Sequence, residues 1–258
     1  MIYETITCEI NDDIAVVTLN RPDVMNALNK QMRGEITHAV RESGRIARVV
    51  VLTGAGRAFC SGQDLGAEAN PADIDLERTL KDEYMPMLEA ITTCPVPTIA
   101  AVNGPAAGAG ANLALAADVV IGAESAYFLQ AFTRIGLIPD AGGTYVLPRQ
   151  IGLAKSIGAA LFADKIFARD ASSMGMIWEA VVDEKFVSHW KSRAAHLAAG
   201  PTLTYGHIKT AIHSSFTNSE VEQLDLEARL QGDCGRTCDF KEGVTAFLDK
   251  RTPKFEGR

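Results

Sequence analysis

Short runs of consecutive apolar residues alternate along the first half of the chain with stretches whose apolar positions recur every three or four residues. Residues 14–19 (IAVVTL), 49–53 (VVVLT), 96–102 (VPTIAAV) and 119–121 read as buried strands, two of them closed by Gly54 and by Asn103-Gly104. Residues 29–43 place Met32, Ile36, Ala39 and Val40 at helical spacing, and 108–117 are small, apolar and helical in character. Strand–helix alternation of this kind predicts an α/β fold. From 142 to 251 the pattern turns mostly helical, most clearly over 183–199 and 220–230. The Gly200-Pro201 pair punctuates that half, so we expect an α/β core over 1–200 and a helical region over 201–258. Residues 66–81 are polar and acidic, and predict a mobile loop before a helix beginning near Leu80. No fixed-period repeat and no low-complexity tract is present.

With 258 residues, 47% of them hydrophobic, the chain can bury a sizeable core without disulfides or metal. The net charge of -7 argues against a nucleic-acid partner, and requires any anionic ligand to find local donors. Five cysteines at irregular spacing (Cys8, Cys60, Cys94, Cys234, Cys238) read as free thiols in a reducing compartment. The opening MIYETITCEI has early acidic residues and no apolar core, and no run of about 18 apolar residues follows anywhere. The expectation is a cytoplasmic protein that is neither exported nor membrane-spanning.

Three stretches carry candidate chemistry. In 101–112 (AVNGPAAGAGAN) a strand end is followed by tiny residues opening a helix, where exposed N–H groups can bind negative oxygen. Close helix–sheet packing explains the same residues equally well. A dinucleotide fingerprint does not fit, because Gly108-Ala-Gly110 lacks a third glycine and a later acidic partner. In 58–65 (AFCSGQDL) another strand exit holds a glycine. Cys60 and Ser61 have no histidine placed as a base, so a structural turn is the better reading than a nucleophile. In 135–144 (IGLIPDAGGT), Asp140 sits between a proline and a glycine pair. It reads either as a helix cap or as a carboxylate in apolar surroundings whose pKa is raised for acid–base work. The five histidines lie singly, and His189 and His196, seven apart, make only a weak case for metal. No metal site is expected. Gly54-Ala-Gly56 lacks the Gly-Lys-Ser/Thr of a phosphate loop.

Taken together, NRPDVMNALN (20–29), LTGAGRAFCSGQDL (52–65), AVNGPAAGAGANLALAADVVIGAESAYF (101–128), GLIPDAGGTYVLPRQIG (136–152) and EGVTAFLDKRTPKF (242–255) resemble the enoyl-CoA hydratase/isomerase (crotonase) superfamily, in matching order and spacing nearly end to end. The resemblance implies a spiral of ββα units with a helical C-terminal trimerisation region, assembled as a homotrimer or hexamer. It implies an acyl-CoA thioester as substrate, with no cofactor beyond that coenzyme A. It gives the backbone N–H groups of Gln63 and Ala109 the role of binding the thioester oxygen, beside Gly62 and Gly108. It places Ala58, Ser61, Asp64 and Leu65 along the pantetheine and adenine path, with Met25, Ala27 and Leu28 near the adenine. Tyr84, Met87, Phe132 and Ile138 would form the acyl pocket.

Family hydratases use two glutamates, and this chain has Asn112 and Phe132 at those positions. Asp140 instead stands where certain family isomerases carry their acid–base carboxylate. LALAAD, FLQAF, GLIPDAGGT and MGMIWEAVVDE look most like the branch that isomerises ring epoxides of arylacetyl-CoA thioesters. The expected activity is therefore isomerisation through a thioester enolate, acting on a ring-1,2-epoxide or moving a double bond from position 3 to position 2. Enoyl-CoA hydration or another acyl-CoA lyase or hydrolase reaction remains an alternative, as does a non-catalytic acyl-CoA-binding subunit.

Overall fold

The computed structural model describes residues 2–66 and 75–257. Residues 67–74, within the stretch expected as a mobile loop, lie outside the described residues. In chain order the strands are β1 (Ile6–Asn11), β2 (Ile14–Leu19), β3 (Val49–Gly54), β4 (Thr98–Val102), β5 (Ala106–Ala107), β6 (Val119–Ala123), β7 (Tyr127–Leu129), β8 (Ile166–Phe167) and β9 (Glu179–Val181). The helices are α1 (Lys30–Ile46), α2 (Leu76–Thr79), α3 (Met85–Thr92), α4 (Ala109–Leu115), α5 (Gly143–Phe162), α6 (Ala168–Ser173), α7 (Asp183–Ala198), α8 (Thr202–Ser214), α9 (Glu220–Gly235) and α10 (Cys238–Leu248).

A mixed sheet runs in the order β1-β2-β3-β4-β6-β9, and β5-β7-β8 form a smaller second sheet. The β1–β2 hairpin is antiparallel, and its Asp12 and Asp13 both take left-handed backbone angles, as a two-residue hairpin turn requires. From β2 to β9 every pairing in the large sheet is parallel. Its central strand, β4, is buried at all five positions, which suits the continuous apolar run TIAAV. Helix α1 covers one face with Met32, Ile36, Ala39 and Val40, and the side chain of Asn29 caps it by accepting from Met32 N at 2.9 Å.

The α/β expectation holds, with differences in detail. The third strand begins at Thr98 rather than at Val96, because Pro97 has no N–H to offer and pairs through its carbonyl alone. Strands β8 and β9 interrupt the half expected to be mostly helical; at two and three residues they are too short to show a period. The helix expected near Leu80 starts at Leu76 and passes through a π-helical turn, Leu80–Tyr84, into α3.

Helix α8 and the C-terminal tail are fastened to the N-terminal ends of the parallel strands. Lys209 pairs with Asp118, just before β6, at 2.8 Å and donates to the carbonyls of Cys94 and Val96. Arg48, just before β3, donates to Thr202, Gly200 and Phe255. The opposite, C-terminal ends of β3 and β4 are left to the loops described next. Among the described residues, no helix is long and apolar enough to cross a membrane.

Candidate active site

In parallel sheets the strand C-termini are where loops gather to form sites. Here the loops after β3 and β4 are bound to each other by their backbones. Asn103 accepts from Gly54 N at 3.1 Å and donates to the carbonyl of Gly56. The buried Asn26 donates to the carbonyls of Ala55 and Ala58. Cys60 and Ala106 form an isolated parallel bridge, with Ala107 N donating to Cys60 O at 2.9 Å. Gly62 has φ +97°, and a Cβ there would lie 2.8 Å from Ala107 O and 3.5 Å from Ala109 N. Only glycine lets the two loops come this close.

This contact sets Gln63 beside Ala109. Leu28 N donates to Gly62 O at 2.8 Å and Asp64 N to Leu28 O at 3.2 Å, so the bonds to Leu28 flank Gln63 and leave its own N–H turned away. Ala109 is the first residue of α4, where an N–H has no partner within the helix. Among the described residues neither N–H has an acceptor. Two free donors from adjoining loops can stabilise one oxygen as it gains negative charge.

Asp140 precedes α5, but it does not cap it. The N-cap is Gly142, with φ +83° and no side-chain cap, which rules out the helix-cap reading of the PDAGG turn. Instead, Asp140 Oδ1 is buried with no hydrogen-bond partner among the described residues. Burial raises the carboxyl from 3.8 to about 6, only partly offset by a bond from its own backbone N–H. Its loop is held from below. Asn112 Nδ2 donates to the Asp140 carbonyl at 2.7 Å, and Gln130 Nε2 donates to Asn112 Oδ1 at 2.9 Å. A Cβ on Gly143 would strike the Asn112 amide, so the turn is packed directly on that side chain. The position expected to lack a hydratase glutamate thus carries a residue that positions the Asp140 loop.

The ring of Phe132 is buried and lies over the turn into α4; a Cβ on Gly108 would meet its Cζ at 3.8 Å. Tyr84 is buried, and its hydroxyl donates to Gln63 Oε1 at 2.6 Å. Burial pushes that hydroxyl's pKa up, as do the charges of Cys60 and Asp140, while Arg33 opposes the shift. Met87 is fully buried in the core. Ile138, on the loop that carries Asp140, is 75% exposed in the single chain.

Along the expected coenzyme path, Ala27, Leu28, Ala58 and Gly62 are buried, Ser61 and Asp64 half-buried, and Met25 and Leu65 exposed at the rim. Arg21 pairs with Asp64 at 2.7 Å and donates to Ala27 O, joining the two segments that carry these residues. Ser61 Oγ donates to Val24 O at 3.2 Å. Cys60 is buried and its thiol pKa is pushed up to about 12 by burial, the opposite of an activated nucleophile. His189 binds Glu179 at 2.8 Å, and no cluster of three metal-ligating side chains forms among the described residues.

Sequence reasoning missed Asn26, Arg33, Asn103 and Gln130 as builders of the site. Arg33 left a trace: it is a charged residue next to Met32 on the face of α1 that is buried. The others sit in turns, where asparagine and glutamine carry no signal of what they will bind.

The chain is similar to known proteins over nearly its whole length. The family model described as enoyl-CoA hydratase/isomerase matches residues 9–258. A protein of Rhodobacter capsulatus described as a probable enoyl-CoA hydratase is 60% identical over 100% of both chains. The 1,2-epoxyphenylacetyl-CoA isomerase of Escherichia coli is 44% identical over 99% of each. A solved structure from Mycobacterium abscessus, described with the enoyl-CoA hydratases and isomerases, superposes with a TM-score of 0.93 at 34% identity, covering 98% of this chain and 100% of that one.

Proposed function

Because the chain belongs to the enoyl-CoA hydratase/isomerase family and is an enzyme of that kind, we propose that it isomerises acyl-CoA thioesters through an enolate, with Asp140 as the acid–base group. The thioester carbonyl oxygen sits between the N–H groups of Gln63 and Ala109. The Asp140 carboxylate takes a proton from the α-carbon, and the two N–H groups hold the charge that moves onto the oxygen. Asp140 then returns the proton to the γ-carbon, which shifts a 3-enoyl double bond to position 2. In a ring-1,2-epoxide the shared carbon–carbon bond of the epoxide opens to the seven-membered oxepin, and the same α-to-γ proton shift gives the oxepin-CoA. Atoms and charge balance in both cases, and neither calls for a metal or a redox cofactor.

The carrying observation is the buried, unpartnered Asp140 oxygen together with the neutral Asn112 and Phe132 at the other two candidate positions. The 44% identity to an epoxyphenylacetyl-CoA isomerase supports the epoxide as acyl group. The coenzyme would follow Met25, Ala27, Leu28, Ala58, Ser61, Gly62, Asp64 and Leu65, with Tyr84, Met87 and Phe132 behind the acyl chain. The test is turnover of 1,2-epoxyphenylacetyl-CoA beside a 3-enoyl-CoA, with products identified by mass spectrometry. Conversion of either at an enzyme-like rate supports the reading. Tight thioester binding without conversion of any substrate would replace it with a non-catalytic binding role.

The same reading makes residues 201–258 an oligomerisation region of a homotrimer or hexamer. Phe240, Phe247 and Leu248 on α10, and Ile208 and Ile212 on α8, are exposed in the single chain and offer apolar side chains that association would bury. Light scattering is expected to give a multiple of three chains; a monomer at micromolar concentration would overturn this assignment.

A further inference from the structure

We propose that the side-chain amide of Gln63 is a specificity-determining donor that favours acyl groups carrying an oxygen near the thioester. This rests on the isomerase reading above and adds the chemical class of the acyl group.

Gln63 contributes more than a backbone N–H. Its Oε1 accepts from Arg33 at 2.9 Å and from Tyr84 Oη at 2.6 Å. Arg33 is itself fixed: it pairs with Glu83 and donates to the carbonyl of Leu28 at 2.7 Å. A guanidinium has donors only, so the oxygen end of the amide, and not the nitrogen end, must face it. The amide orientation is therefore set by chemistry, and Nε2 points away from both partners. Nε2 has no acceptor among the described residues, and it is not sealed from solvent. Tyr84, which shares Gln63 Oε1, lies close enough to Asp140 to feel its charge. The amide belongs to the residue that carries one free N–H, and Asn112, three residues after the other at Ala109, holds the Asp140 loop, so the acyl group of the proposed substrate would sit among them.

There an all-carbon chain strips water from Nε2 and gives nothing back, whereas an ether or epoxide oxygen replaces the lost bond. One neutral hydrogen bond of this kind corresponds to about three- to tenfold in affinity.

The experiment compares 2-methoxyphenylacetyl-CoA with 2-ethylphenylacetyl-CoA, which are near-equal in size and differ by an oxygen for a methylene. Binding is measured by calorimetry to the full-length protein and to Gln63→Ala and Gln63→Met, and the readout is the ratio of the two affinities. The parent is expected to prefer the methoxy ligand by about three- to tenfold, and both variants to bring the ratio near one. A parent ratio of one, or a preference surviving in either folded variant, overturns the proposal; the parent measurement decides even if a variant fails to fold. The ratio does not depend on turnover. Loss of isomerase activity in the parent would therefore sink the reading of Asp140, and loss of the ratio would sink that of Gln63.

Discussion

Asp140→Asn is expected to lose isomerase activity by about 10²- to 10⁴-fold, the range associated with removing a positioned acid–base group, while becoming more stable at neutral pH. The two effects share one cause. Burial raises the Asp140 pKa from 3.8 to about 6. Between those values the folded protein holds a proton that the unfolded chain releases, so stability falls as pH rises through that window. Above about pH 6 the penalty of a buried charge is fully present; below about pH 4 it is absent. Asparagine carries no charge and removes the penalty at pH 7. The carboxylate keeps some access to solvent, so screening limits the gain to about 1–2 kcal/mol, or roughly 2–8 °C in Tm. The parent's kcat/KM is expected to rise with pH and level off above about 6, since the carboxylate must be ionised to take a proton. Near-parent turnover of both substrates by Asp140→Asn would remove Asp140 from the mechanism. A variant that was inactive and also less stable would point to a structural role instead.

The Asp140 turn shows how much the sequence discloses and where it stops. Its PDAGG pattern fits a helix cap as well as a catalytic carboxylate, because both need a short acidic residue before a helix. Only the fold separates them, by placing Gly142 at the cap and leaving Oδ1 without a partner. The long buried strands and α1 were legible because a continuous apolar run, or one face of a helix, is a local property. The two- and three-residue strands were not, since their pairing comes from the partner strand. The free N–H groups of Gln63 and Ala109 were foreshadowed by the glycines around them, as close backbone approach needs the absence of a Cβ. The contact of Arg33 and Tyr84 on the Gln63 amide joins segments 30 and 21 residues away, and nothing in any one segment announces it.

Crotonyl-CoA is expected to be hydrated at least about 10³-fold more slowly than the isomerase substrates are turned over, a gap comparable to the loss of one positioned acid–base carboxylate. Hydration needs a water held and deprotonated on one face of the double bond and a proton delivered to the α-carbon, work that a pair of carboxylates shares. Of the three candidate acid–base positions, 112, 132 and 140, only Asp140 carries a carboxylate. Phe132 gives a buried hydrocarbon surface at one of the other positions. Asn112 is buried and bonded at both ends of its amide, to the Asp140 carbonyl and to Gln130, and a neutral amide is no base for a water. A Cβ on Gly143 would strike that amide, so the Asp140 turn rests directly on Asn112. The 60% identical relative is described as a probable hydratase, so the measurement tests whether that activity extends to this chain. Loss of enoyl absorbance with formation of 3-hydroxybutyryl-CoA, at a rate matching isomerisation, would show that one carboxylate suffices and that Asn112 and Phe132 do not exclude water.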